Sequence, residues 1–304
     1  MTTGEACSTP AANTLAEAAW GVLRASHEAR VAPWIKPHLA RSAVGEAHPV
    51  HDFLFQYYSY RPAHLRRWHP GIGRTLEAAG AEEFLAWPHY ERIPGGISVT
   101  TTRLKPERLT FLRWLIAMLA AVQSRPAFHG CAGLHEWAMV YRADDVRHPR
   151  WPLRLGRKGT AAVLETLPVR CSHFDAFRFF TAEARPLNRL QPTRESISEN
   201  EQPGCLHANM DLYKWAYKLA PFTPSELVAD AFELAHDIRE IDMRASPYDF
   251  SSLGFPPIAI ETESGRHAYE IHQRAFSARA HPLRERLIAV ARTVLAAAES
   301  AKAF

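Results

Sequence analysis

The chain is short of cysteine, of lysine and of long apolar runs. Its four cysteines, Cys7, Cys131, Cys171 and Cys205, lie far apart, with no Cys-x-x-Cys pair among them. That spacing argues against a structural zinc site, and four thiols in 304 residues are too few for a disulfide framework. Only six of the 36 basic residues are lysines, and the 32 acidic residues leave a net charge of +4. So mild a charge does not suit a dedicated nucleic-acid coat. The most apolar stretch, Leu112 to Val122, is about half the length needed to cross a bilayer. Near the N-terminus stands Glu5, without the basic region and apolar run of a secretory leader. These absences predict a cytoplasmic protein with no membrane partner.

What is present is apolar and helix-forming. Hydrophobic residues make up 47% of the chain, enough for a large core. With no repeat and no clear linker, the expected architecture is mainly α: a disordered tail over 1–12, then one helical domain over 13–304. Thr14 and Glu17 have capping-box spacing, and prolines 33 and 37 should end the helix that follows. Further helices are expected over 50–60, 106–123, 207–219, 223–244, 264–280 and 282–298. Residues 98–103 read as a short strand, and 151–155 and 161–170 as a small β element in the middle of the chain. Residues 184–204, with three prolines, read as a long irregular connection.

Three polar segments carry the chemistry. They are Leu134-His-Glu-Trp137, Ser172-His-Phe-Asp175 and Leu206-His-Ala-Asn-Met-Asp211. Each sets a histidine within four residues of a carboxylate inside an apolar run, where charges are costly unless paired or coordinated. One shared pocket is expected, with His135, His173 and His207 as metal ligands and Glu136, Asp175 and Asp211 as catalytic carboxylates. His207 and Asp211 fall one helical turn apart on one face. His173 and Asp175 share a face only on a strand, and His135 and Glu136 diverge by ~100° on a helix. No second histidine follows His135-Glu136 at zincin spacing. If the histidines converge, Cys131, Cys171 and Cys205 should lie nearby. Arg178, Arg194 and Arg244 are the candidate substrate-binding cations. A divalent metal (iron, zinc or manganese) is the implied cofactor.

Two other patterns are weaker. Glu233-Leu-Ala-His236 is a single Glu-x-x-His, where di-iron carboxylate bundles use two. His69-Pro-Gly-Ile-Gly-Arg-Thr75 resembles the hairpin of helix-hairpin-helix modules, whose backbone N–H groups grip a DNA phosphate. Glycosylases with that hairpin carry an aspartate further on; here the window Trp87 to Arg92 offers only Glu91.

The segments Asp52 to Pro62, His135 to Arg142, His173 to Phe180 and Asp242 to Asp249 resemble an actinobacterial family commonly labelled 3-methyladenine DNA glycosylase. The resemblance spans roughly residues 48 to 290. It implies a base-excision activity in which a flipped base stacks on aromatics and water cleaves its N-glycosidic bond. From the residues themselves the leading expectation is a metal-dependent enzyme, hydrolytic or non-haem oxidative, on a small or nucleotide-like substrate. DNA, through the glycosylase activity, is the alternative partner. A non-catalytic protein that binds an anionic small molecule is the third reading.

Overall fold

The structure, a computed structural model, describes residues 13–146 and 148–301, so the expected tail over 1–12 lies outside the described residues. Thr14 and Glu17 do not form a capping box. Thr14 belongs to β1 (Thr14–Leu15), and α1 (Glu17–Ala43) starts after Ala16 with no side-chain cap. Nor do Pro33 and Pro37 end the helix; α1 runs through both. An interior proline costs about 3 kcal/mol, and the buried face of Trp20, Val31 and Ile35 offsets it, since tertiary burial supplies most helical stability in proteins.

The segment expected as one helix over 50–60 is cut to α2 (Phe53–Tyr57), followed by α3 (Pro62–Arg66). A four-stranded sheet then forms from β1, β2 (Thr75–Leu76), β3 (Tyr90–Ile93) and β4 (Gly96–Val99), in the order β1-β2-β4-β3. Gly96 is required there: its φ is 149°, and a Cβ would sit 1.9 Å from the Leu76 carbonyl oxygen. The β element therefore lies in the first third of the chain, not the middle. Residues 161–170, expected as a strand, fall mostly in helix α6 (Gly156–Thr166), which follows α4 (Pro106–Ser124) and α5 (Leu134–Ala138). Thr160, Val163 and Leu164 are its buried residues, a helical spacing that the β-branched composition masked. Of 151–155, only Leu153 makes a β-bridge, to Tyr248.

Two single turns, α7 (Phe174–Phe177) and α8 (Ile197–Asn200), lead to the long C-terminal helices. These are α9 (Leu206–Lys218), α10 (Ser225–Arg244) and α11 (Glu263–Ser300). Thr223 is buried but does not cap α10; its place is taken by Pro224, and Glu226 accepts from Trp68 Nε1 at 2.9 Å. The two expected terminal helices are one, continuous across Pro282. Helices α10 and α11 both pack on α9, and α11 also packs on α4. One apolar cluster runs through all of them, from Trp20 to Ala298. The predicted class, mainly α with a small sheet, is the one that forms. The polar segments meet at the start of α9, inside this cluster.

Candidate metal centre

His135 reaches the interior because α5 enters through a left-handed bend. Ala132 has φ 46° and Gly133 φ 69°, and a Cβ on Gly133 would press 3.3 Å against that of Ala245. Trp137 Nε1 then donates to the Ala245 carbonyl at 2.9 Å, docking α5 on the end of α10. This lays His135 against Asp242, with Nε2 3.2 Å from Oδ2 and 3.1 Å from Oδ1. Only Oδ2 has hydrogen-bond geometry; among the described residues Oδ1 is a buried oxygen with no hydrogen bond. Arg239, one turn earlier on α10, contacts Asp242 Oδ2 at 3.5 Å and Glu136 at 3.0 Å. Burial alone would lower the His135 pKa, but the Asp242 carboxylate raises it above the usual value.

His207, in the first turn of α9, completes this group. Its ring lies 4.4 Å from that of His135 and 5.2 Å from that of His173. Its ring forms no hydrogen bond with any described residue. Burial and the neighbouring His135 hold its pKa well below the usual value, so it stays neutral. One ligand atom from each of His135, His207 and Asp242 falls within 4.8 Å of the others.

A second group stands on the other side of His207. His173 Nε2 meets Asp211 Oδ2 at 3.2 Å and Glu201 Oε1 at 3.3 Å, and these three are also within 4.8 Å of one another. His173 caps α7, its Nδ1 accepting the Ala176 N–H at 3.3 Å, which leaves its proton on Nε2. Asp211 is already well supplied: Tyr58 donates to Oδ1 at 2.8 Å and the Lys214 ammonium pairs with Oδ2. Burial would raise the Asp211 pKa, yet Lys214 and His173 hold it far below the usual carboxylate range. Asp242 and Glu136 both pair with Arg239 in the first group; in the second, Lys214 pairs with Asp211, and burial raises the pKa of Glu201.

The predicted histidines therefore converge, and Asp211 joins them. His207 and Asp211 share a helix face as expected but serve adjacent groups. Glu136 turns away to Arg239. Asp175 does not partner His173; on α7 it faces Lys214 at 3.4 Å and Arg178 at 3.2 Å. The three cysteines do line the cleft that ends on His135 and His207. Burial pushes the Cys171 thiol up to about 12, so it stays protonated. The proposed substrate arginines are not among the residues lining that cleft. Arg178 pairs with Asp175, Arg194 lies over Phe174, and Arg244 donates to the Pro256 carbonyl. Glu201, Asp242, Lys214 and Tyr58 were not foreseen. Only Asp242 left a signal: a carboxylate three residues after an arginine on the apolar face of the helix expected over 223–244.

The two weaker patterns resolve elsewhere. Glu233 pairs with Arg30, and His236 Nε2 lies 3.0 Å from His51 Nδ1. In the Pro70 to Gly73 turn, Ile72 donates its N–H to the Phe222 carbonyl at 2.8 Å, and a Cβ on Gly71 would lie 2.7 Å from Pro224. That turn is packed against the start of α10.

No family model, no curated protein and no solved structure matches the chain. No helix among the described residues is long and apolar enough to cross a membrane.

Proposed function

We propose that the protein is a metal-dependent enzyme whose divalent ion is held by His135, His207 and Asp242, acting on a small or nucleotide-like substrate. The observation that carries this reading is His207: a neutral imidazole between two other histidines, with no hydrogen-bond partner among the described residues and its nitrogen within 4.8 Å of donor atoms on His135 and Asp242. The Asp242 oxygen without a hydrogen bond fits the same ion. Bonds of ~2 Å would draw together donors that stand within 4.8 Å of one another. His173 fits less well, because a ligand binding through Nε2 must carry its proton on Nδ1, and that atom accepts from Ala176.

Two histidines and one carboxylate leave open positions, a donor set shared by hydrolytic zinc and non-haem iron sites. Bound there, the ion would supply a Lewis acid that activates water or, as iron, reactivity toward dioxygen. Arg239 orients Asp242, as partners behind a ligand commonly do. His173 holds a proton between Asp211 and Glu201, one ring away from the ion's place.

Elemental analysis of protein purified without added metal tests the reading. About one equivalent of zinc, iron or manganese is expected; His207→Ala should lose most of it and His173→Ala should keep it. Protein that carries no metal and takes up none on reconstitution would end the proposal. Release of 3-methyladenine from alkylated duplex DNA that survives chelation and vanishes in Glu91→Gln would replace it with the glycosylase reading.

A further inference from the structure

The cleft that ends on His135 and His207 opens through Arg170, Ser172 and Gln202 into a larger basin. By the same measure, the inner cleft has about 10 Å³ free and the basin about 400 Å³. A group the size of a water fits inside, and the body of a small molecule fits outside.

Three loops wall this basin, and each is clamped by one side chain. The Asn188 amide accepts from Cys171 N at 2.7 Å and donates to Cys171 O at 2.9 Å. The Gln202 amide does the same for Phe128, at 2.8 and 3.1 Å. Arg125 donates to the carbonyls of Glu201, at 2.8 Å, and Ser198. Asn188 also forms a β-bridge with Val169, so the backbone on both sides of Arg170 is fixed.

Arg170 itself is left over. Its guanidinium lies 4.3 Å over the Phe128 ring, and among the described residues it forms no hydrogen bond or ion pair. Its N–H donors are thus not spent on any described residue, and a guanidinium can take a carboxylate or phosphate bidentately. Against Arg125 and Arg170 the basin sets one carboxylate, Glu199, so its balance is positive.

We propose that Arg170 anchors the anionic group, a carboxylate or a phosphate, of a substrate whose other end enters the cleft toward His207. The destination of the reactive end rests on the metal-centre reading; the anchor does not. Inorganic phosphate and propionate are titrated against metal-loaded and chelator-stripped protein, each as wild type, Arg170→Ala and Arg170→Lys. At least one anion should bind both forms of the wild type. Arg170→Ala should weaken it about tenfold or more in both forms, and Arg170→Lys should weaken it less, with metal content unchanged. Which anion binds distinguishes a phosphorylated from a carboxylated substrate. Absence of binding, or binding indifferent to Arg170→Ala, overturns the anchor. Binding lost on stripping but kept in Arg170→Ala would place the anion on the ion, sparing the metal reading alone. Arg170-dependent binding to a protein that never holds metal would spare the anchor alone.

Discussion

Asp242 is the residue on which the site turns, because it is fully buried and neutralised by groups from two helices. Removing its charge leaves His135 in the interior without its carboxylate and Arg239 with Glu136 alone. Breaking such a buried pair costs about 3–5 kcal/mol. Asp242→Asn should therefore lower stability by that order in denaturant titration and also abolish metal retention; a variant of wild-type stability would show the pair to be dispensable. The histidines were legible because each sits in an apolar run, where an imidazole needs a partner. Of their partners, Asp211 was named and Asp242 left a signal, but Glu201 and Lys214 were not legible. Glu201 lies in a proline- and glycine-containing loop without periodicity, and Lys214 reads on α9 as an ordinary helix cation.

At the scale of elements, apolar periodicity located α4, α9 and α10, whose buried residues recur at helical spacing. Pro106 opens α4 as expected, but the boundaries expected at Pro33, Pro37 and Pro282 do not form, since α1 and α11 absorb those prolines where tertiary burial outweighs the local cost. Periodicity also read α6 as a strand. Cap geometry decides where α11 begins: Thr262 Oγ1 accepts from Gly265 N at 3.0 Å, and a Cβ on Gly265 would meet the Ala259 carbonyl oxygen at 1.9 Å. Thr262→Ala should cost about 1 kcal/mol and Thr262→Ser much less. Gly265→Ala should cost more than either, because the backbone itself must move. Chemical denaturation of the three variants checks the order; a neutral Gly265→Ala would show that the close approach to Ala259 does not fix the helix start.

Across the whole molecule, stability should fall in acid, and His69 makes a separable part of that fall. It is buried, its Nδ1 is 2.9 Å from Tyr90 Oη, and burial lowers its pKa from 6.5 to about 3. Below the ordinary value the unfolded chain takes up a proton that the folded chain refuses. Stability is thus retained above pH 6.5 and lost as pH falls toward 3. One proton corresponds to about 1.4 kcal/mol per pH unit. In chelator-treated protein, His69→Gln should flatten stability against pH by up to that slope between these limits. An unchanged slope would mean that His69 titrates alike in both states.

The central claim concerns which atoms hold the ion, and X-ray absorption of the zinc-loaded protein tests it most directly. The account predicts imidazole scattering from two histidines and an oxygen shell, all near ~2.0–2.2 Å, with one imidazole lost in His207→Ala and neither lost in His173→Ala. A spectrum without imidazole scattering, or one altered by His173→Ala and untouched by His207→Ala, would contradict it.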